Sequence, residues 1–147
     1  MTASILIKSA LLGAFCLYVL LYGSLDLEVK WTWWLSEPFD AITLVVISPI
    51  LEEWVFRGWL FDVLKRWIKD SSSSFAWSTS PISLQNILST LCFCTLHALM
   101  RDPMTGLLVF GPSLLLGFIR DRGASLWALI GIHGFWNFGW FLLFPPS

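Results

Sequence analysis

Five apolar runs divide this chain, and each is near the length that a helix needs to cross a bilayer. A hydrocarbon core about 30 Å thick takes about 20 residues of α-helix. The runs cover about residues 4–23, 39–67, 82–100, 104–119 and 124–144. Inside lipid no water satisfies a backbone N–H or C=O, so such runs must close their hydrogen bonds internally, as helices. The expected fold is therefore all-α: a polytopic membrane helix bundle of about five transmembrane helices, forming one membrane domain over residues 1–147. Composition agrees. Only 13% of residues are charged and 56% are hydrophobic, whereas soluble domains carry about 25% charge.

The connections follow from composition. Residues 24–37, "SLDLEVKWTWWLSE", are polar and then tryptophan-rich, and Ser71 to Ser74 form the clearest linker. "RDP" at 101–103 and "RDRG" at 120–123 make turns, and Pro145-Pro146 ends the last run. The second run is long and contains Pro49, which lacks an N–H and is expected to kink it. Gly111-Pro112 interrupts the fourth. Lys8 before an apolar run resembles the start of a signal peptide, but no small-residue cleavage site follows, so a retained first helix is expected. No internal repeat is visible.

Basic residues give an orientation. Lys8, Lys65, Arg66, Lys69, Arg120 and Arg122 fall on one side of the proposed spans, and Lys30 and Arg101 on the other. The richer side is the cytoplasmic one, which places the N-terminus inside and the C-terminus outward. Trp31, Trp33 and Trp34 would mark the outer interface, and Trp67 the inner one. A net charge of -1, with no basic tail and no glycine-rich phosphate loop, gives no reason to expect nucleic acid. Cys16, Cys92 and Cys94 lie in apolar runs without a CxxC and read as packing residues, not a disulfide.

Few polar residues remain within the runs: Glu52, Glu53, Arg57, Asp62, Gln85, Asn86, His97, His133 and Asn137. An ionisable group at mid-membrane costs roughly 2.5 kcal/mol or more on insertion scales, so such groups face the protein interior and mark function. Asp62 sits near the inner interface beside Lys65 and Arg66, where solvation accounts for it. Glu53 and Arg57 are four apart, share a helix face and can pair. Glu52 is about 100° around the helix from Glu53 and points to other helices. That setting suits a general base. The alternative is an ion-pair network of both glutamates that only fixes helix packing. His97 lies in the third run, four residues after Phe93; His133 and Asn137 lie four apart in the fifth. A lone histidine in a membrane helix often bonds a neighbouring carbonyl. Two histidines, an asparagine and a carboxylate on three runs are the equipment for hydrolysing an amide with activated water. Depth fits less well. Counted along upright helices, Glu52 and His133 reach a similar level and His97 lies about 10 Å higher, an offset expected to come from too early a start for the third run and from tilted helices around a water-filled cavity.

"EEWVFR", "FCTLH" and "HGFWN" fit, in order, the patterns EExxxR, FxxxH and HxxxN. They resemble those of the CPBP family, the CAAX prenyl endopeptidase and bacteriocin-processing (ABI) group of glutamic-type intramembrane proteases. The resemblance covers residues 39–144, which would be the catalytic core. It implies that Glu52 activates water, that His97 holds or polarises it, and that His133 and Asn137 stabilise the tetrahedral oxyanion. Glu53 and Arg57 would be a structural pair, and Phe93 a packing residue beside the site. The substrate would be a peptide or protein bearing a sorting tail, leader or lipidated end, cut in or near the bilayer, and the location a bacterial inner membrane. At five spans the chain is short for the family, so a homodimer or a dedicated partner would complete the substrate groove.

No cofactor is expected. Zinc is the minority reading, with Glu52, His97 and His133 as ligands. There is no HExxH, and a zinc site of that kind needs a further base, which Glu53 could supply only by leaving Arg57. Two other functions compete with the protease: a non-catalytic immunity or scaffold protein of the same fold, and a small ion transporter, since membrane carboxylates and histidines also mark ion paths.

Overall fold

The computed structural model describes residues 2–25, 32–71 and 82–144. The serine linker beyond Ser71, Lys30, Trp31 and Pro145-Pro146 lie outside the described residues. Among those described, the backbone is a series of helices joined by turns, with no strand. The protein is an all-α membrane helix bundle. Three helical stretches among the described residues are long and apolar enough to cross a bilayer: Ala3–Tyr22, Pro103–Asp121 and Leu126–Leu143. The apolar helix Leu84–Met100 is slightly shorter.

The chain divides into two compact units, residues 1–51 with 127–147, and residues 52–126. The first holds α1 (Ala3–Leu25), α2 (Trp33–Ser36), α3 (Pro38–Ile42), most of α4 (Ser48–Glu53) and nearly all of α9 (Leu126–Leu143). Pro38 opens α3 at its first turn, where a missing N–H costs nothing. Between α3 and α4 the helix widens into a π-helical stretch, Thr43–Ile47. Pro49 lies just beyond it, so the ladder expected to kink at the proline instead changes register before it. Aromatic residues of α2 pack on α9, with Trp33 and Phe141 ring centroids 6.0 Å apart and Trp34 and Phe138 4.8 Å apart. The Tyr18 hydroxyl donates to the Trp136 carbonyl at 2.5 Å, and Gly139 leaves the space that the Tyr18 ring fills. The outer face of α1 exposes Leu12, Phe15, Leu17, Val19 and Leu20, as a lipid-facing surface should.

The second unit contains a second π-helical stretch, Trp54–Leu60, then α5 (Phe61–Ser71), α6 (Leu84–Met100), α7 (Pro103–Leu108) and α8 (Phe110–Asp121). The fourth apolar run is thus split at Val109 into two helices. Ser83 caps α6 by accepting from the Asn86 N–H at 3.2 Å. Asp102 caps α7 by accepting from the Thr105 N–H at 3.0 Å and the Thr105 hydroxyl at 2.6 Å. Those two donors, the hydroxyl foremost, hold the Asp102 carboxyl below the usual carboxylate range. Gly123, at φ 86°, takes the left-handed conformation that ends the "RDRG" turn. Two glycines set the helix spacing. Gly106 lets α7 close on α6, and Gly117 lets α8 close on the Asn86 side chain. The interior of this unit includes Phe56, Phe93, Leu116 and Ile119.

Candidate active site

Glu53 and Arg57 anchor the second unit. Arg57 Nη1 lies 3.5 Å from Glu53 Oε1, with side-chain exposures of 1% and 0%. A buried charge needs more than one partner, and Arg57 has several. Its Nη2 donates to the Ser113 hydroxyl at 2.6 Å and the Ser113 carbonyl at 3.0 Å. Its guanidinium lies 4.7 Å from the centre of the Phe93 ring, a cation–π contact made where water is excluded. The π-helical stretch that carries Arg57 is served from neighbouring elements. Ser89 donates to the Phe56 carbonyl at 2.8 Å, and Arg120 Nε donates to the Arg57 carbonyl at 3.2 Å. The pair is therefore built into the framework, with its charges directed at each other and at α8.

Glu52, one residue earlier, is partly exposed. Its Oε2 lies 4.0 Å from His97 Nε2, with 24% of the glutamate and 20% of the histidine side chain accessible. His97 Nδ1 lies 3.0 Å from the Phe93 carbonyl oxygen. A carbonyl oxygen only accepts, so this contact is a hydrogen bond when Nδ1 carries the proton. A neutral His97 then turns the lone pair of Nε2 toward Glu52. Two acceptors facing each other at 4.0 Å are too far apart for a direct hydrogen bond and leave a separation that a water can bridge. Phe93 fixes the ring from the other side, with centroids 4.2 Å apart, and itself packs edge-on against Phe56 at 5.1 Å. The offset of about 10 Å expected between Glu52 and His97 is absent. The start of α6 at Leu84 removes about 3 Å of it at 1.5 Å per residue. The remainder is the error of measuring depth along straight, upright helices.

His133 and Asn137 belong to the first unit, on α9. His133 is buried, with 8% of its surface accessible. Asn137, one turn further on, donates from Nδ2 to the Leu44 carbonyl at 2.8 Å. Gly134 lies between them, where a Cβ would fall 2.7 Å from the Val45 carbonyl oxygen. The structure thus brings Glu52 to His97, Glu53 to Arg57, and Arg57 to Phe93, within one unit; it ties Asn137 to the π-helical stretch within the other. Among the described residues, no three His, Cys, Asp or Glu side chains gather as a metal-ligand set.

Some residues that build this region carry no signal in the sequence motifs. Ser113 holds Arg57, and Ser89 and Arg120 hold the backbone beside it. Asn86 stood out as a polar exception, and its role is packing: it donates to the Leu114 carbonyl at 3.0 Å and accepts from Thr90 at 3.3 Å. Small polar residues in apolar helices are the only hint of such partners, because hydrogen bonds between helices hold membrane bundles together.

The model of the Type II CAAX prenyl endopeptidase Rce1-like family matches residues 31–139, well over half of the chain. No curated protein and no solved structure matches it. The matched stretch contains all three motifs, from the paired glutamates to Asn137, and the chain belongs to the Type II CAAX prenyl endopeptidase Rce1-like family of proteases.

Proposed function

We propose that this protein is an intramembrane endopeptidase of glutamic type, and that Glu52 is its general base. The observation that supports this reading is the position of His97 Nε2, 4.0 Å from the Glu52 carboxylate, at a separation that a water can bridge. Glu52 takes a proton from that water, and the water oxygen attacks the carbonyl carbon of the scissile peptide. The C=O electron pair moves onto oxygen. His97 holds the water through Nε2, and its ring is set by the Phe93 carbonyl and the Phe93 ring. His133 and Asn137 are assigned the oxyanion by the motif order and the family resemblance. Collapse of the intermediate breaks the C–N bond, and the proton held by Glu52 goes to the leaving amine. Glu53 and Arg57 keep the helix that carries Glu52 in place and do no chemistry.

The substrate class is a membrane-associated peptide or protein cut near its tail or leader, in a bacterial inner membrane. Residues 39–144 form the catalytic core of a single membrane domain, with the N-terminus cytoplasmic and the C-terminus outward, and a second copy completes the substrate groove. No metal takes part.

The test uses purified protein in liposomes with two peptide panels, one prenylated near the C-terminus and one unmodified. Wild type cleaves a member of one panel, and Glu52→Gln lowers turnover by roughly 10²-fold or more. Chelator leaves the rate unchanged. Equal rates for Glu52→Gln and wild type would falsify the glutamate mechanism. A rate lost to chelator and restored by zinc alone would replace it with a metal mechanism.

A further inference from the structure

The Leu44 carbonyl has an unusual donor. In the π-helical stretch Thr43–Ile47 the Ser48 N–H donates to the Thr43 carbonyl, five residues back. One step along the same ladder, the Leu44 carbonyl would take its hydrogen from residue 49. That residue is proline and has no N–H. The donor that reaches Leu44 is Asn137 Nδ2 on α9, at 2.8 Å. Pro49 is itself almost fully buried, so water is a poor substitute there, and a carbonyl left unmet in such a place costs about 1–3 kcal/mol. The next carbonyl, Val45, faces Gly134 so closely that a Cβ there would fall 2.7 Å from its oxygen. Gly134 and Asn137 of "HGFWN" therefore address consecutive carbonyls of one widened turn.

We propose that the Asn137 side chain stands in for the N–H that Pro49 lacks, splicing α9 into the ladder of the π-helical stretch at Leu44, three residues before that stretch ends at Ile47. Asn137 is on this view a positioning residue: it fixes the register of the turn that leads through Pro49 to the proposed base. A primary amide has two N–H groups. The splice uses one of them. Gly134 has a matching task, since any side chain there would push α9 off the turn and stretch the Asn137 bond. This inference rests on the assignment of Glu52 as base only in its catalytic half; the splice itself does not depend on it.

The experiment is a double-mutant cycle on the full chain, with Asn137→Ala, Pro49→Ala and the pair. Pro49→Ala returns an N–H to the ladder, so the two changes compensate. Asn137→Ala alone is expected to lower the thermal midpoint by several degrees and kcat by roughly tenfold or more, with KM little changed. The double variant is expected to recover most of the midpoint and part of kcat. If Asn137→Ala gives no folded protein, recovery of folded protein in the double variant is the same readout. Midpoint losses that simply add would overturn the splice. A midpoint that recovers while kcat stays at the Asn137→Ala level would overturn the positioning role and leave the Asn137 amide as a direct contributor to catalysis. A wild type inactive on every peptide defeats the protease mechanism but leaves the midpoint coupling to decide the splice.

Discussion

Two adjacent glutamates meet different neighbours. Glu53 is sealed against Arg57, whose other donor group is fixed on Ser113 and whose face is covered by Phe93. Glu52 retains access and faces His97. The pairing of Glu53 with Arg57 was legible, because four residues along a helix bring side chains to one face. Ser113 was not, since nothing in "GPSLLLG" says that its hydroxyl meets a guanidinium from a helix 56 residues away in sequence. Breaking a buried pair strands a charge, whereas removing an exposed one does little. Arg57→Met is therefore expected to cost about 3–5 kcal/mol and leave little folded protein. Arg57→Met combined with Glu53→Gln, which strands no charge, regains part of that. Thermal unfolding in detergent, followed by circular dichroism, measures both. Stability of the single variant equal to wild type would mean that the pair is not part of the framework.

At the scale of helices, the hydrophobic runs announced where helices form but not how they are built. The second run was expected as one long span bent at Pro49. It is helical from Pro38 to Ser71, with two π-helical stretches, Thr43–Ile47 and Trp54–Leu60. A π turn is set by where carbonyls find donors on other elements, as Phe56 does on Ser89 and Leu44 on Asn137. Periodicity read within one run cannot register that. The fourth run was expected to be interrupted at Gly111-Pro112, and the break falls two residues earlier, at Val109. Its first piece, α7, lies against α6 through Gly106. A Cβ there would sit 2.6 Å from the Ala98 Cβ and 2.8 Å from the Cys94 carbonyl oxygen. Backbone cannot yield as a flexible side chain does, so overpacking costs about 1–3 kcal/mol or more. Gly106→Val should separate α7 from α6 and lower the thermal midpoint, while Gly111→Ala, which meets nothing within 4 Å, should not. A midpoint unchanged in Gly106→Val would show that the two helices do not approach as described.

For the whole molecule, length and hydropathy were enough to establish an integral membrane protein, and the three motifs were enough to point to the family. Orientation is the property that neither helices nor family fixes, and the proposed one rests on charge. On α5 the side chains of Lys65, Arg66 and Lys69 are exposed, with Trp67 among them at 61% exposure. In the proposed orientation this basic, tryptophan-bearing turn at the end of a long helix would be an interfacial anchor on the cytoplasmic side. Arg120 and Arg122 belong to the same side by sequence but have other tasks. Arg120 donates to the Arg57 and Ala124 carbonyls, and the Arg122 guanidinium lies 3.3 Å from the Phe118 ring centre. The three lysine and arginine side chains of α5 are thus the ones that can be changed without disturbing the interior. A reporter active only outside the cytoplasm should be silent when fused before the N-terminus and active when fused after Phe144. Replacing Lys65, Arg66 and Lys69 together with glutamine should produce a mixed population in which both fusions give signal. Each of these charges is worth about 1 kcal/mol near an anionic leaflet, so losing three is enough to erode a bias set by six against two. An outward N-terminus in the unmodified chain would place this basic turn outside, and with it reverse the side from which a substrate tail approaches Glu52.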